Sequence, residues 1–352
     1  MSSNMIKNVF VFVLWIVFGT NVFGQNATMA SVKELMERRD ALLSDLNENT
    51  LRDFFSNENS LLQALGSAIT NTKDKNAKDE LCKVAKMCFD NLYVGSTQYI
   101  ESDPAFSRRL LDSYFEASGS KALAGAGLTV NPDACFTYAV ALQSTNGSKE
   151  KIADSYSKAL TGTYGVSACQ QLASLCHLNG DNAGELKYLL YGYEHFPEQL
   201  QLGIDLLMRF ISDQKYDEAV KYADGLIKRL NDGTITERST DTEWYPHYLK
   251  ATALFNSQQY DKAYDAFVDG DTAYPGHSEM VVAAGNSAAK FAIMHSEDTA
   301  ISHPWFQKAI VYLKKAEKAW PKESDQWGYL LYACYHNLGD TKNESKYRKY
   351  TK

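Results

Sequence analysis

Few residues in this chain combine the types and the spacing that catalysis requires. Three serines are each followed, three residues later, by a lysine that could activate a serine nucleophile: Ser148 with Lys151, Ser155 with Lys158 and Ser287 with Lys290. The pairs are scattered, and the SDN and KTG sequences that would accompany such a serine are absent, as are GxSxG, HExxH and phosphate-binding glycine loops. We therefore predict that the protein is not an enzyme and uses no cofactor. An enzyme active in the N-terminal third is a distant alternative.

One short segment has residues that could bind a metal ion. His295, Glu297, Asp298 and His303 lie close together in MHSEDTAISHP (294–304). Imidazole nitrogen and carboxylate oxygen are both zinc ligands. A polar surface loop contains the same residues by default, however, and no CxxC sequence accompanies them. We therefore predict a solvated loop here and no metal site.

The six cysteines raise the question of disulfides. Cys82 and Cys88 are six residues apart, and Cys169 and Cys176 are seven apart. On one helix these separations place the Cα atoms roughly 9–10 Å apart along the axis, whereas a disulfide needs about 4.4–6.8 Å. We predict buried thiols, because free cysteine packs well as a small hydrophobic residue. A bridge from Cys135 to a neighbouring helix is the alternative.

The elements that would position all of these residues are helices in a repeating pattern. The segment 169–197, CQQLASLCHLNGDNAGELKYLLYGYEHFP, has apolar residues at helical spacing on both sides of a turn. Its pattern recurs, with small residues where two helices would cross and a proline after the second helix. The small residues are Ala173, Ala251 and Gly285 on first helices and Ala219, Ala263 and Ala309 on second helices, and the prolines are Pro197, Pro275 and Pro321.

Several positions depart from this pattern. Leu207, Leu226 and Leu331 stand where a small residue is expected, and Glu185 stands where alanine is expected. The proline spacings leave room for two insertions, which we place in the loops 231–244 and 294–304. A weaker copy precedes the clear units at 133–160, and the last pair, 327–350, has a polar second helix typical of a terminal cap.

The units resemble tetratricopeptide repeats, most closely in QYDKAYDAFVDGDTAYP (259–275) and KYDEAVKYADGL (215–226). The resemblance implies an all-α superhelical solenoid, with helix pairs of about 34 residues that bury their apolar faces by stacking. We expect about 14 to 18 helices. The expected domains are 1–24, a signal peptide; 25–130, an N-terminal helical region of divergent repeats or a bundle; and 131–352, the solenoid with its cap.

The first 24 residues read as an export signal. Lys7 precedes the apolar run VFVFVLWIVF (9–18), which is shorter than the ~20 residues needed to span a bilayer. The junction before Gln25 resembles signal peptides of Bacteroidetes-type bacteria, so we expect a periplasmic or surface protein; an uncleaved anchor is the alternative. Removing 1–24 removes Lys7 and no acidic residue, so the net charge goes from −7 to −8. This charge argues against nucleic-acid binding.

By the same resemblance, the first helix of each unit should face a concave partner-binding groove. The predicted groove residues are Tyr245, Tyr248, Phe255, Asn286, Lys290, Tyr329, Tyr332 and Tyr335, with Asp205 and Met208 nearby. An aromatic, weakly acidic groove suits an apolar or basic protein segment or a glycan. The leading interpretation is a protein-binding scaffold of the cell envelope, and the alternative is an accessory subunit of a secretion or polysaccharide-handling assembly. Many of these tyrosines could equally pack between helices.

Overall fold

The computed structural model describes residues 27–236, 239 and 241–351, and within them every regular element is a helix. The sixteen α-helices are α1 Ala27–Ser44, α2 Leu51–Asn71, α3 Lys75–Tyr99, α4 Pro104–Gly119, α5 Pro132–Ser144, α6 Lys149–Ala159, α7 Gly165–Leu178, α8 Asn182–His195, α9 Leu200–Ser212, α10 Tyr216–Asn231, α11 Tyr245–Asn256, α12 Tyr260–Ala273, α13 Ser278–Met294, α14 Thr299–Ala319, α15 Ser324–Asn337 and α16 Thr341–Tyr347. Two 3-10 helices span Lys121–Ala126 and Arg348–Tyr350. The predicted all-α fold and helix number are confirmed.

The segment predicted to be a signal peptide lies outside the described residues. Among the helices that are described, none has the length and apolarity needed to cross a membrane.

Side-chain caps explain where many of the helices begin. The Asp74 carboxylate accepts a hydrogen bond from the Ala77 amide at the start of α3, and Asp103 accepts one from Phe106 at the start of α4. Asp181 and Asp340 do the same for α8 and α16. Each cap satisfies an amide that the first helical turn leaves without a partner.

The chain divides into two compact units, one ending at Leu175 and the other beginning at Cys176, so the division falls within α7. In the first unit, α1 to α4 surround a core that includes Phe54, Phe55 and Leu65. The Phe89 and Tyr114 rings stack there at 3.9 Å. The boundary expected near residue 130 was drawn from the repeat pattern and stays a prediction.

The second unit contains the clearest helix pairs, and small residues lie where the helices cross. Ala219, Ala263 and Ala309 are buried with at most 1% of their surface exposed. A Cβ added to Gly285 would lie 2.6 Å from Leu313 Cγ, closer than side chains approach one another. The positions predicted to be small are therefore small because the helices leave no room for a larger side chain.

The positions that depart from the repeat are compensated by their neighbours. Leu226 fits because Gly203 lies opposite it, where an added Cβ would come within 2.4 Å of Leu226 Cδ2. The repeat pattern expects a small residue at position 226. Here the large side chain is at 226, and the small residue, Gly203, is on the facing helix. Glu185 is accommodated differently: its carboxylate lies 3.0 Å from Arg209 Nη1, and Arg209 also contacts Asp213.

The predicted loop 294–304 is wrong over most of its length. Helix α13 extends to Met294, and α14 begins at Thr299, with Pro304 inside the helix. Asp298 caps α14 by accepting a hydrogen bond from the Ala300 amide. A proline near the start of a helix removes few backbone hydrogen bonds, so the cap outweighs it. The insertion thus lengthens two helices.

Candidate functional site

The serines that stand before lysines have structural contacts. Ser148 caps α6, where its hydroxyl accepts a hydrogen bond from the Lys151 backbone amide. Ser287 is fully buried and donates to the Ala283 carbonyl at 2.7 Å. Ser155 is buried in α6 with 6% of its surface exposed. Within the described part of the chain, no three His, Cys, Asp or Glu side chains are grouped as metal ligands would be, and His295 and Asp298 serve instead as helix caps.

All six cysteines are free thiols, as predicted, and lie among the described residues. Cys88, Cys135, Cys169 and Cys334 are buried, whereas Cys82 and Cys176 are half-buried. Burial raises the pKa of the Cys334 thiol to about 12. It also raises the pKa of the Cys88 thiol well above its usual range.

The predicted binding residues on α11 are half-buried aromatic rings. Tyr245 and Tyr248 both contact Trp244, with ring centroids 4.4 and 5.4 Å away. Tyr248 also reaches Phe267 on α12 at 5.8 Å. Phe255 contacts the Tyr260 ring edge-on at 5.1 Å. These rings therefore pack against neighbouring aromatic side chains and remain partly accessible to solvent.

The two predicted residues on α13 provide polar groups. Asn286 is half-buried and Lys290 is exposed, one helical turn further along the same helix. The first helices lie beside one another in two pairs, α9 with α11 and α13 with α15. Lys290 is thus carried by a helix that packs directly against α15.

The structure brings two of the three predicted residues of α15, Tyr329 and the half-buried Tyr332, into a row of rings. Tyr329 is 56% exposed, and its ring centroid lies 6.3 Å from that of Tyr332. The row continues to His336, whose ring stacks on Tyr332 at 5.9 Å. Tyr335 points elsewhere, stacking on Tyr347 at 5.7 Å in the packing of the last helices. We call Tyr329, Tyr332 and His336 the α15 ring row.

Sequence reasoning missed His336 and Trp244. His336 lies four residues after Tyr332, so helical spacing alone would have placed it in the ring row. Its Nδ1 lies 3.6 Å from the Glu344 carboxylate, which is largely buried and also pairs with Arg348 at 3.2 Å. Trp244 precedes α11 and stacks on His277 at 4.3 Å. This contact joins residues distant in sequence and left no local signal.

Two further residues of the groove prediction, the acidic Asp205 and the apolar Met208, lie on α9. Met208 is 54% exposed. Asp205 accepts a hydrogen bond from Gln201 at 2.8 Å. Burial raises the pKa of the Asp205 carboxyl above its ordinary value. An exposed thioether beside a half-buried carboxyl continues the mixed aromatic and acidic character of the first helices.

A second surface of the same unit has more acidic than basic side chains, four aspartates against Lys250 and Lys262. A cleft of about 390 Å3 lies between α10 and α12, with Lys250 and Leu254 of α11 in its lining. Asp217 and Asp224 line it from α10, and Asp265 and Asp269 line it from α12. Lys250 neutralises Asp224 at 2.7 Å.

No family model matches the sequence, and no curated protein matches it. Solved structures that are similar over most of the chain include the following three. A tetratricopeptide repeat protein from Parabacteroides merdae is 14% identical, with a TM-score of 0.31, over 87% of this chain and 99% of that one. Yeast Tom70 is 13% identical, with a TM-score of 0.33, and the match covers 90% of this chain and 68% of Tom70.

The third is a chain of the APC/C hetero-tetramer Cut9–Hcn1, which is 14% identical with a TM-score of 0.36. The match covers 85% of this chain but only 59% of that one. By its own helix pairs and their small-residue crossings, the chain is an all-α protein with a tetratricopeptide-like fold.

Proposed function

We propose that the protein is a non-enzymatic scaffold of the cell envelope that holds a segment of a partner protein on its first helices. The observation that carries this proposal is the α15 ring row. Tyr329 keeps 56% of its surface exposed although the Tyr332 ring lies beside it, and His336 extends the row on the other side of Tyr332. Tyrosine offers a large rigid contact area with a polar tip, and such residues dominate binding energy at protein interfaces.

The charge around these helices favours an apolar or basic segment. The chain has a net charge of −7. Glu344, which also pairs with Arg348, lies beside His336, and four aspartates of the second helices line the cleft between α10 and α12 together with two lysines. An acidic partner would meet like charges there, whereas a basic one would associate faster through electrostatic attraction.

The test starts from partners captured from envelope extracts and identified by mass spectrometry. Binding of one purified partner is then measured by calorimetry with a Tyr329→Ala, His336→Ala double variant. Both side chains are largely exposed, so their removal leaves the fold intact. We expect affinity to fall by at least about ten-fold, because interface tyrosines commonly contribute more than 1 kcal/mol.

The matched control is Val311→Ala, which removes an apolar side chain that is 65% exposed on α14, a second helix. It should leave affinity unchanged. Undiminished binding by the double variant would contradict the use of the ring row. Binding of a glycan alone, with no protein partner, would contradict the scaffold.

A further inference from the structure

The N-terminal unit contains a cavity that the proposed scaffold does not use. It has a volume of about 450 Å3 and lies between α2, α4 and the 3-10 helix Lys121–Ala126. Leu62 and Leu123 give it an apolar floor. Six polar side chains also line it: Asn59, Gln63, Ser67, Ser113, Glu116 and Ser120. Small-molecule sites are concavities of ~300–1,000 Å3 with a few convergent polar groups.

The six polar side chains keep their hydrogen-bonding groups available to a ligand. Within the described residues, none of them forms a hydrogen bond or an ion pair with another group of the chain. Asn59, Ser113 and Ser120 are half-buried, whereas Gln63, Ser67 and Glu116 are exposed to solvent. Asn59 Oδ1 is even buried without a donor. A buried polar atom without a partner costs roughly 1–3 kcal/mol.

Hydroxyl groups elsewhere on the same helices behave differently. Ser56 and Ser60 of α2 donate to carbonyls one turn back, at 2.8 and 3.1 Å. Thr70 does the same at 2.9 Å, and Ser118 of α4 donates to the Phe115 carbonyl at 2.8 Å. The contrast shows that unpaired hydroxyls are specific to the cavity lining and are not a general property of α2 and α4.

The lining determines the chemistry of a ligand. Hydroxyl and amide groups donate and accept, and Glu116 adds an acceptor with a negative charge. Among the residues that the structure describes, no Lys, Arg or His side chain lines the cavity, so an anion would meet a carboxylate without a compensating cation. The same described lining contains no aromatic ring, which leaves hydrogen bonds as the source of specificity. We propose that this cavity binds a small neutral polyhydroxylated ligand, a mono- or disaccharide.

Calorimetric titration of the purified protein tests the proposal, with glucose, galactose, N-acetylglucosamine and maltose as probes. Inorganic phosphate and spermidine serve as charged comparators. We expect saturable one-to-one binding of at least one saccharide and none of phosphate or spermidine. Ser113→Ala and Glu116→Gln should each weaken binding by about three- to ten-fold, the effect of losing one hydrogen bond to a ligand.

A third variant closes the cavity. Nothing lies within 4 Å of a Cβ built on Gly119, so the position accepts a side chain, and the indole of Gly119→Trp should fill the cavity and abolish binding. Ser118→Ala is the control, because Ser118 is absent from the lining and should leave binding unchanged. If Gly119→Trp lowers the thermal midpoint of the protein, its loss of binding is set aside. The proposal is then judged by whether Ser113→Ala and Glu116→Gln weaken saccharide binding.

Three results would overturn the proposal. They are the absence of binding by all four saccharides, binding of phosphate or spermidine instead, and saccharide binding that survives both the Ser113 and Glu116 substitutions. The partner-capture test of the second unit is independent of this outcome, because none of its variants touches the cavity.

Discussion

At the residue scale, the most demanding contact is a buried ion pair in the N-terminal unit. Arg39 Nε lies 2.8 Å from Glu58 Oε1, and the two side chains are 2% and 0% exposed. Asn91 Nδ2 donates to the other carboxylate oxygen at 2.7 Å. A buried pair is tolerated only when its remaining donors and acceptors are also satisfied, which Asn91 helps to achieve.

Removing the carboxylate should therefore be costly. In Glu58→Ala, Arg39 would remain buried without its counter-charge, which typically lowers the free energy of unfolding by about 3–5 kcal/mol. Urea unfolding followed by circular dichroism measures the change. Glu37→Ala is the control, because Glu37 forms an exposed pair with Lys33 at 3.8 Å, and such pairs contribute about 0–1 kcal/mol. Equal losses of unfolding free energy in Glu58→Ala and Glu37→Ala would show that burial of the ion pair does not determine its contribution to stability.

Thiol reactivity should follow burial. The thiolate is the reactive form, and burial both raises the pKa and blocks access. Burial raises the pKa of the Cys82 and Cys176 thiols too, but both side chains are only half-buried, so we expect maleimide at pH 8 to reach and label them slowly in the native protein. Cys88 and Cys334, buried and with raised pKa values, should be labelled only after denaturation. Peptide mapping by mass spectrometry reads the result, and rapid native labelling of Cys334 would contradict it.

His247 should make stability depend on pH. Burial lowers the pKa of its imidazole, and Lys250 lowers it further, while Asp269 and Asp224 act in the opposite direction. With a lowered folded-state pKa, the unfolded chain takes up the proton more readily. The stabilising contribution is therefore complete above the unfolded pKa of about 6.5 and declines as the pH falls below it.

The measurement compares urea midpoints at pH 7.5 and 5.5 for the protein and for His247→Gln. The urea midpoint should fall less between pH 7.5 and pH 5.5 in His247→Gln than in the unmodified protein. A proton NMR titration that gives His247 a pKa above that of free histidine would contradict the expected direction.

At the scale of elements, the exchanged pair Gly203 and Leu226 should behave as a unit. Gly203→Ala places a methyl group 2.4 Å from Leu226 and should cost about 1–3 kcal/mol. Leu226→Ala leaves a cavity and should cost about 2–5 kcal/mol. The double variant should lose less than the sum, since the new methyl group partly fills that cavity. Gly119→Ala, with open space around its Cβ, is the control; strict additivity would show that the pair is not coupled.

Helix identity and the crossings could be predicted from sequence because they depend on local periodicity and on residue size. Ala219, Ala263 and Gly285 were identified this way. The helical extension over 299–304 was missed, since proline and polar residues there resemble a turn and the Asp298 cap was not weighed against them.

The candidate site was only partly accessible to the same reasoning. Repeat position predicts which face of a helix a residue occupies, and Tyr329 and Tyr332 do lie together. It does not predict how far a ring is covered by neighbours, which depends on contacts between distant segments. Tyr335 illustrates this, because its partner Tyr347 lies on the last helix. The polar cavity of the first unit left no sequence signal, since its lining comes from three separate elements.

At the scale of the whole molecule, the chain contains two units of different character. The first has a polar pair inside its core and a cavity lined by unpaired hydroxyls. The second has regular helix pairs, rings on its first helices and an acidic cleft. One chain could thus recognise a small ligand and a protein segment through separate surfaces.

Export should remove the first 24 residues. The apolar run 9–18 and the residues before Gln25 have the pattern that signal peptidase cleaves, so we expect the mature chain to begin at Gln25. Intact-mass measurement of protein recovered from the envelope or the medium decides this. A mass that retains residues 1–24, with membrane association that resists salt, would indicate an anchored protein.

The long helices α13 and α14 show where the chain can accept additional residues. These helices contain 17 and 21 residues, against 12 and 14 in α11 and α12, so α14 is roughly 10 Å longer than α12. Their shared tip is exposed, with Met294 57% accessible. Residues added between Met294 and Thr299 would extend the tip formed by α13 and α14. They would leave the points where the helices cross unchanged. That tip is the place for length variation during evolution and for grafting an epitope or a fluorescent label.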